Sequence, residues 1–181
     1  MNSIARILLL LALLLIFCGC SNKSKSEQKD AYVLMESTVD AHGLQKMQEY
    51  RNELEVTFKG KNYKVFLART PDSSLPQVKS ETGDMFLDNK IELKITQGGS
   101  NIFSKTFRKQ DFSSVVAASF MKNAILEGMV YNKVSAQGIV LAASVSYPQT
   151  DLYIPISITI TAEGKMTMVR DELLDEIYSE E

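Results

Sequence analysis

From Tyr50 onward the chain is written in a period of two. Leu54, Val56 and Phe58 alternate with Glu53, Glu55 and Thr57, and Tyr63, Val65 and Leu67 resume the rhythm after Lys59-Gly60-Lys61-Asn62. Ile91, Leu93 and Ile95 alternate with Glu92, Lys94 and Thr96. Gly98-Gly99-Ser100 then turns the chain into Ile102 to Phe107, where Phe103 and Phe107 share a face. Later segments repeat the theme: Ile125, Met129 and Tyr131; Ile139, Leu141, Val145 and Tyr147; and Leu152, Ile154, Ile156, Ile158 and Ile160, opposed by Tyr153, Ser157, Thr159 and Thr161. Glu163-Gly164 turns into Met166 to Val169. Such alternation marks strands that bury one face and wet the other, and short Gly-containing connections mark hairpins.

One stretch departs from that period. Phe112, Val115, Val116 and Phe120 stand at helical spacing behind Asp111, which predicts a helix over about 112–122 with Asp111 as its N-cap. The acidic tail 171–181 carries Leu173, Leu174 and Ile177 at the spacing of a short amphipathic helix. About eight one-sided strands and a single central helix exclude a parallel sheet wrapped by helices, whose strands read as continuous apolar runs. The expected fold is mainly β: an antiparallel barrel or a two-sheet sandwich around one core. The alternative is a curved antiparallel sheet packed on the helix. Pro155 lacks an N–H, so its strand is expected to be an edge there or to bulge.

The segment 70–89 breaks the rhythm with Pro71, Pro76 and Gly83. Its Leu75, Val78, Met85, Phe86 and Leu87 suggest a loop that packs down, as a lid or edge cover in preference to a binding loop.

The N-terminus has a different grammar. Arg6 precedes an apolar run from Ile7 to Phe17, and Gly19-Cys20 is followed by Ser21-Asn22-Lys23-Ser24. A basic start, a short apolar segment and a small residue at the cut read as a secretory signal, too short to span a bilayer. The Gly19-Cys20 pair resembles the lipobox of bacterial lipoproteins, although Phe17 and Cys18 stand where that pattern prefers Leu and Ala or Ser. The expectation is cleavage after Gly19 and a diacylglycerol on Cys20, with palmitate-type acyl chains holding the protein in the membrane. Cys18 is a rival attachment point that would place bulky Phe17 at the cut. Ser21 lacks the Asp that retains enterobacterial lipoproteins in the inner membrane, so the resemblance implies the outer membrane, with the periplasmic and cell-surface faces both open. The expected layout is a removed signal over 1–19, a lipid-anchored tether and N-terminal segment over 20–49, and one β-rich domain over 50–181.

Composition narrows the chemistry. The chain has 22 acidic against 20 basic residues, and Arg6 would leave with the signal. A mildly acidic surface gives no footprint for nucleic acid. With Cys18 removed and Cys20 acylated, no intramolecular disulfide is available, so the fold must stand on its apolar core.

Chemical motifs are scarce. His42 is the lone histidine, so a His triad or a multi-His metal site is not expected. Asp72, Asp84 and Asp88 lie in the long segment, where turn formation and capping account for them better than a paired-acid hydrolase site. Tyr147-Pro148-Gln149-Thr150-Asp151-Leu152-Tyr153 joins two strong strands and offers Tyr147, Asp151 and Tyr153 as contacts for a ligand or partner. Alternation places Tyr147 inward and Tyr153 outward, and a proline-stiffened hairpin explains the same residues. Met166 and Met168 share a strand face and read as packing. No cofactor is expected beyond the lipid on Cys20.

Arg69-Thr70-Pro71-Asp72, Leu75-Pro76-Gln77-Val78, Gly83, Asp88-Asn89, Ile125-Leu126-Glu127-Gly128 and Ala143 to Tyr153 together resemble an uncharacterised Bacteroidetes lipoprotein family, domain of unknown function 4738. The resemblance spans about 50–171 and implies a cell-envelope lipoprotein, without an activity or site residues to carry over. The expectation is a non-enzymatic binding or interaction module tethered to the outer membrane, with another envelope protein, a glycan or a lipid as its partner. A structural or assembly role beside another envelope protein is the alternative, and a carboxylate hydrolase stands behind both.

Overall fold

The computed structural model describes residues 37–39 and 43–171, which belong to one compact unit. Gly19, Cys20 and His42, and the expected C-terminal helix beyond Asp171, lie outside the described residues. Among the described residues twelve strands follow in chain order: β1 (Ser37–Val39), β2 (Gln45–Met47), β3 (Tyr50–Phe58), β4 (Lys61–Pro71), β5 (Val78–Lys79), β6 (Met85–Phe86), β7 (Asn89–Gln97), β8 (Ser100–Phe107), β9 (Ile125–Val134), β10 (Ile139–Ser146), β11 (Tyr153–Ile160) and β12 (Met166–Arg170). Between β8 and β9 come a 3-10 turn (Lys109–Phe112) and a one-turn helix α1 (Ala118–Met121).

The long strands form two four-stranded sheets, in the orders β3-β4-β7-β8 and β12-β11-β10-β9. All pairings within them are antiparallel, and neither sheet closes on itself, so the fold is a sandwich and not a barrel. The alternation predicts the inner faces well. Val56 and Phe58, Tyr63 to Leu67 and Ile91 to Ile95 point from one sheet toward Leu126, Leu141, Val145 and Ile154 to Ile160 of the other, in a single buried cluster. Full burial of each large aliphatic side chain contributes roughly 1.5–3 kcal/mol. Lys59 (φ 49°) and Gly60 (φ 71°) both take the left-handed conformation, which matches the strand twist in a two-residue hairpin; Gly98 and Gly99 close β7–β8 in the same way.

Three expectations need correction. The helix over 112–122 is broken into the 3-10 turn and α1, because Ala117 is extended (φ −62°, ψ 139°). Phe112 and Val116 still reach the core, Phe112 stacking on Phe107 at 5.8 Å, so the spacing reported burial and not a continuous helix. Asp111 is not its N-cap. It is the third residue of the 3-10 turn and accepts from the Arg108 amide at 2.8 Å. The expected eight strands omit four very short ones, β1, β2, β5 and β6.

Those four build a third sheet, β1-β2-β6-β5, antiparallel apart from the single β2–β6 bridge between Gln45 and Phe86. The long segment 70–89 is therefore partly sheet. Met47, Val78 and Phe86 bury against Ile125 as a second small core. Ile125 and Leu126 are adjacent, so they point to opposite faces of β9: Leu126 into the main core and Ile125 into the small one. Pro155 follows its expectation. β12 pairs β11 only over Ile156 to Ile160, and the Pro155 carbonyl accepts from the Asp171 amide just past that ladder. Its missing N–H thus falls where the neighbouring strand has ended.

Candidate functional site

Two apolar rows of the inner face end in polar residues. Arg69 continues the row of Val65 and Leu67 on β4, and Asn89 precedes Ile91 on β7. Arg69, Asp88, Asn89 and Lys109 are all buried at this end of the sandwich. Asp88 Oδ1 accepts from the amides of Asn89 and Leu126, both at 2.8 Å, and Oδ2 meets Lys109 Nζ at 3.3 Å as an ion pair. Lys109 Nζ also donates to the Ala124 carbonyl at 2.6 Å. The Asn89 amide group donates to Leu126 O at 2.9 Å and lies 3.3 Å from Met47 Sδ. Arg69 donates through Nη1 to Glu127 O (2.7 Å) and through Nη2 to Gln48 O (3.0 Å). Burial lowers the Arg69 guanidinium's pKa below its ordinary value, opposed by the nearby Glu127 and Tyr50.

This node joins all three sheets: β4 and β7 of the first, β9 of the second, and the Gln48 exit of β2 in the third. Most of its contacts go to backbone groups or to another member of the node, while Arg69 Nε and Asn89 Oδ1 are buried without a hydrogen bond and Asp88 Oδ2 has only its ion pair with Lys109. Its chemistry is that of a structural lock. Asp88 is accordingly not a surface loop contact, and its sequence neighbourhood gives no sign of Lys109 as its partner.

Asp72 lies apart. Its Oδ1 accepts from the Ser74 hydroxyl (2.6 Å) and amide (3.0 Å), and Lys90 Nζ stands 3.3 Å from Oδ2. The Ser74 hydroxyl, then its amide, then Lys90 hold this carboxyl at a pKa of about 2. It forms a local turn, as the sequence suggests.

Asp84 and the 147–153 loop do come together. The Asp84 amide donates to Ser80 Oγ (3.1 Å), which is 2.9 Å from Thr82 Oγ1. Thr82 Oγ1 is 2.7 Å from Gln149 Oε1 and 3.1 Å from Asp84 Oδ2; its single proton goes to the closer acceptor. Gln149 Nε2 closes the ring by donating to Asp84 Oδ2 at 3.1 Å. Gln149 sits at φ 63° behind Pro148, and the Thr150 amide donates to Tyr147 O at 3.3 Å. Proline followed by a positive-φ residue is a type II turn, whose third position favours glycine. A glutamine held there costs roughly 1–2 kcal/mol, and its side chain is the one that ties the two loops.

Three apolar residues close to the ring in sequence are exposed. Met85 follows Asp84 and is 36% exposed, Leu152 is 54% exposed and Tyr153 is 40% exposed. Asp151 is exposed beside them. Tyr147 turns inward, as alternation predicts, and stacks on Phe120 at 4.5 Å, so it supports the loop and does not form its surface. The sequence reads Met85 as packed down and Leu152 as the first residue of the inward row, but both are exposed, Leu152 because β11 begins only at Tyr153. It reads Gln149 only as part of the loop, with its place after Pro148 as the one signal.

An open cleft of about 420 Å³ lies elsewhere, lined by residues that include Thr38, Lys46, Gln48, Glu49, Ser73 and Leu87. Among the described residues no three His, Cys, Asp or Glu side chains gather as a metal site would need.

The family described as Domain of unknown function (DUF4738) matches residues 29–168. No curated protein matches the chain. The stretches around Arg69, Asp88-Asn89 and Ile125 to Gly128, on which the resemblance rested, converge in the buried node.

Proposed function

From the premise that the chain belongs to the DUF4738 family, we propose that it is a non-enzymatic interaction module of the bacterial cell envelope, tethered to the outer membrane by a lipid on Cys20. One observation carries the interaction reading: Met85, Leu152 and Tyr153 are exposed apolar side chains in or next to the two segments that the Asp84–Gln149 ring ties together. Rigid loops presenting a tyrosine and a leucine inside a polar rim are the usual build of a protein-binding patch. The partner is accordingly another envelope protein with an apolar contact surface. Gly19-Cys20 after the apolar leader supports the tether.

A photo-crosslinking residue at Leu152, in the full chain in its own envelope, tests this reading. A discrete adduct from position 152, absent when the same residue replaces Thr159 on a sheet face, is the expected result. Equal labelling from both positions contradicts it. The open cleft near Thr38 favours a second reading, capture of a small polar ligand. Thermal-shift screening with envelope glycans would reveal that ligand by raising the melting temperature.

A further inference from the structure

The outer face of the β3-β4-β7 sheet carries charges that its own fold leaves unmatched. Register sets Arg51, Ala68 and Glu92 in one row across the three strands, and Glu53, Phe66 and Lys94 in the next. Read along the strands, β3 presents plus then minus where β7 presents minus then plus. Arg51, Glu53, Glu92 and Lys94 are all exposed. Residues two strands apart have backbones about 9.6 Å apart, and among the described residues Glu53 and Lys94 form no ion pair. The ion pair among the described residues of this face is Lys64–Glu55 at 3.9 Å. Phe66, half-exposed at the centre, lies under Arg51 at 5.8 Å and beside a shallow hollow of about 310 Å³.

A half-turn about an axis along β4 exchanges β3 with β7 and inverts that pattern onto itself. We propose that this face docks a second copy of the chain, placing Arg51 against Glu92 and Glu53 against Lys94 of the other copy, with Phe66 meeting Phe66 on the axis. The same patch on both copies is the requirement for a closed two-fold contact. Two rows on three strands form a patch far smaller than the roughly 1,200 Å² of a stable interface, so the contact is weak and salt-sensitive, suited to copies crowded on one surface.

Carbodiimide joins a carboxylate to an amine only when the two touch. Treating envelopes that contain the full chain should give a covalent dimer whose linked peptides carry Glu53 and Lys94. Arg51→Glu alone, or Glu92→Arg alone, keeps both linked groups but sets like charges opposite each other. Each should cut the dimer yield by about five-fold or more, and the double variant R51E/E92R should restore it. Absence of the Glu53–Lys94 link in the wild-type chain, a yield indifferent to both single variants, or failure of the double variant to recover would each overturn the proposal.

Discussion

A β-carbon at Gly164 would lie 2.2 Å from the carbonyl oxygen of Ile102. Gly164 turns β11 into β12 at φ 76°, and Ile102 belongs to β8 of the opposite sheet, so the two sheets approach backbone to backbone at this point. Gly164→Ala therefore meets both a left-handed backbone and a neighbour that cannot yield. Expected destabilisation is about 2–4 kcal/mol, read as a lower urea midpoint with an unchanged slope. Gly99→Ala, with φ 85° and no atom within 4 Å of the new carbon, should lose about 1 kcal/mol and isolates the backbone share. Equal losses at the two positions would show that the approach to Ile102 does not matter.

Asp88→Ala strips Lys109 of its counter-charge inside the protein and leaves the Asn89 and Leu126 amides without an acceptor. A loss of about 3–5 kcal/mol is expected, again from urea unfolding. Asp88→Asn keeps one acceptor and should lose less. A change below about 1 kcal/mol for the alanine variant would mean that the node is not a lock.

Arg69→Lys retains the charge but not the fork that reaches Glu127 O and Gln48 O together. About 1.5–3 kcal/mol should be lost. Amide exchange should rise mostly in 45–48, because the Gln48 carbonyl is a tie between the end of β2 and the main sheets. Uniform exchange across the molecule would place the effect elsewhere.

Much of this architecture is legible in the sequence because alternation directly reports a one-sided strand. The rows Leu54 to Phe58, Ile91 to Ile95 and Ile154 to Ile160 bury the sides that their periods name. β5 and β6 have two residues each, too few to show a period. Phe112 and Val116 imitate a helix because two buried residues four apart look alike whether or not the turn between them is continuous. The candidate site was half legible. Asp84 and the 147–153 loop were visible as separate features, but their meeting depends on Gln149 reaching a segment distant in sequence. Asp88 reads as an ordinary turn residue because its cation comes from Lys109, beyond two further strands.

Acid should weaken the protein partly through Asp72. Its carboxyl titrates at about 2 in the fold against about 3.9 unfolded, so the unfolded chain binds more protons between those values. Stability from this group is present above about pH 4 and is lost as pH falls toward 2. Asp72→Asn should flatten that part of the melting-temperature profile and lower it above pH 4. Parallel profiles for the two proteins would remove Asp72 from the acid response.

The proposed apolar contact surface depends on the Asp84–Gln149 ring. Gln149→Gly relieves the φ 63° backbone while cutting the ring, so stability should move by less than about 1 kcal/mol. The decisive measurement is the crosslinked adduct formed from position 152 in that variant, taken beside its urea midpoint. An adduct reduced several-fold at nearly unchanged stability is expected. An adduct formed as fully as before, with the ring cut and the fold intact, would contradict that dependence.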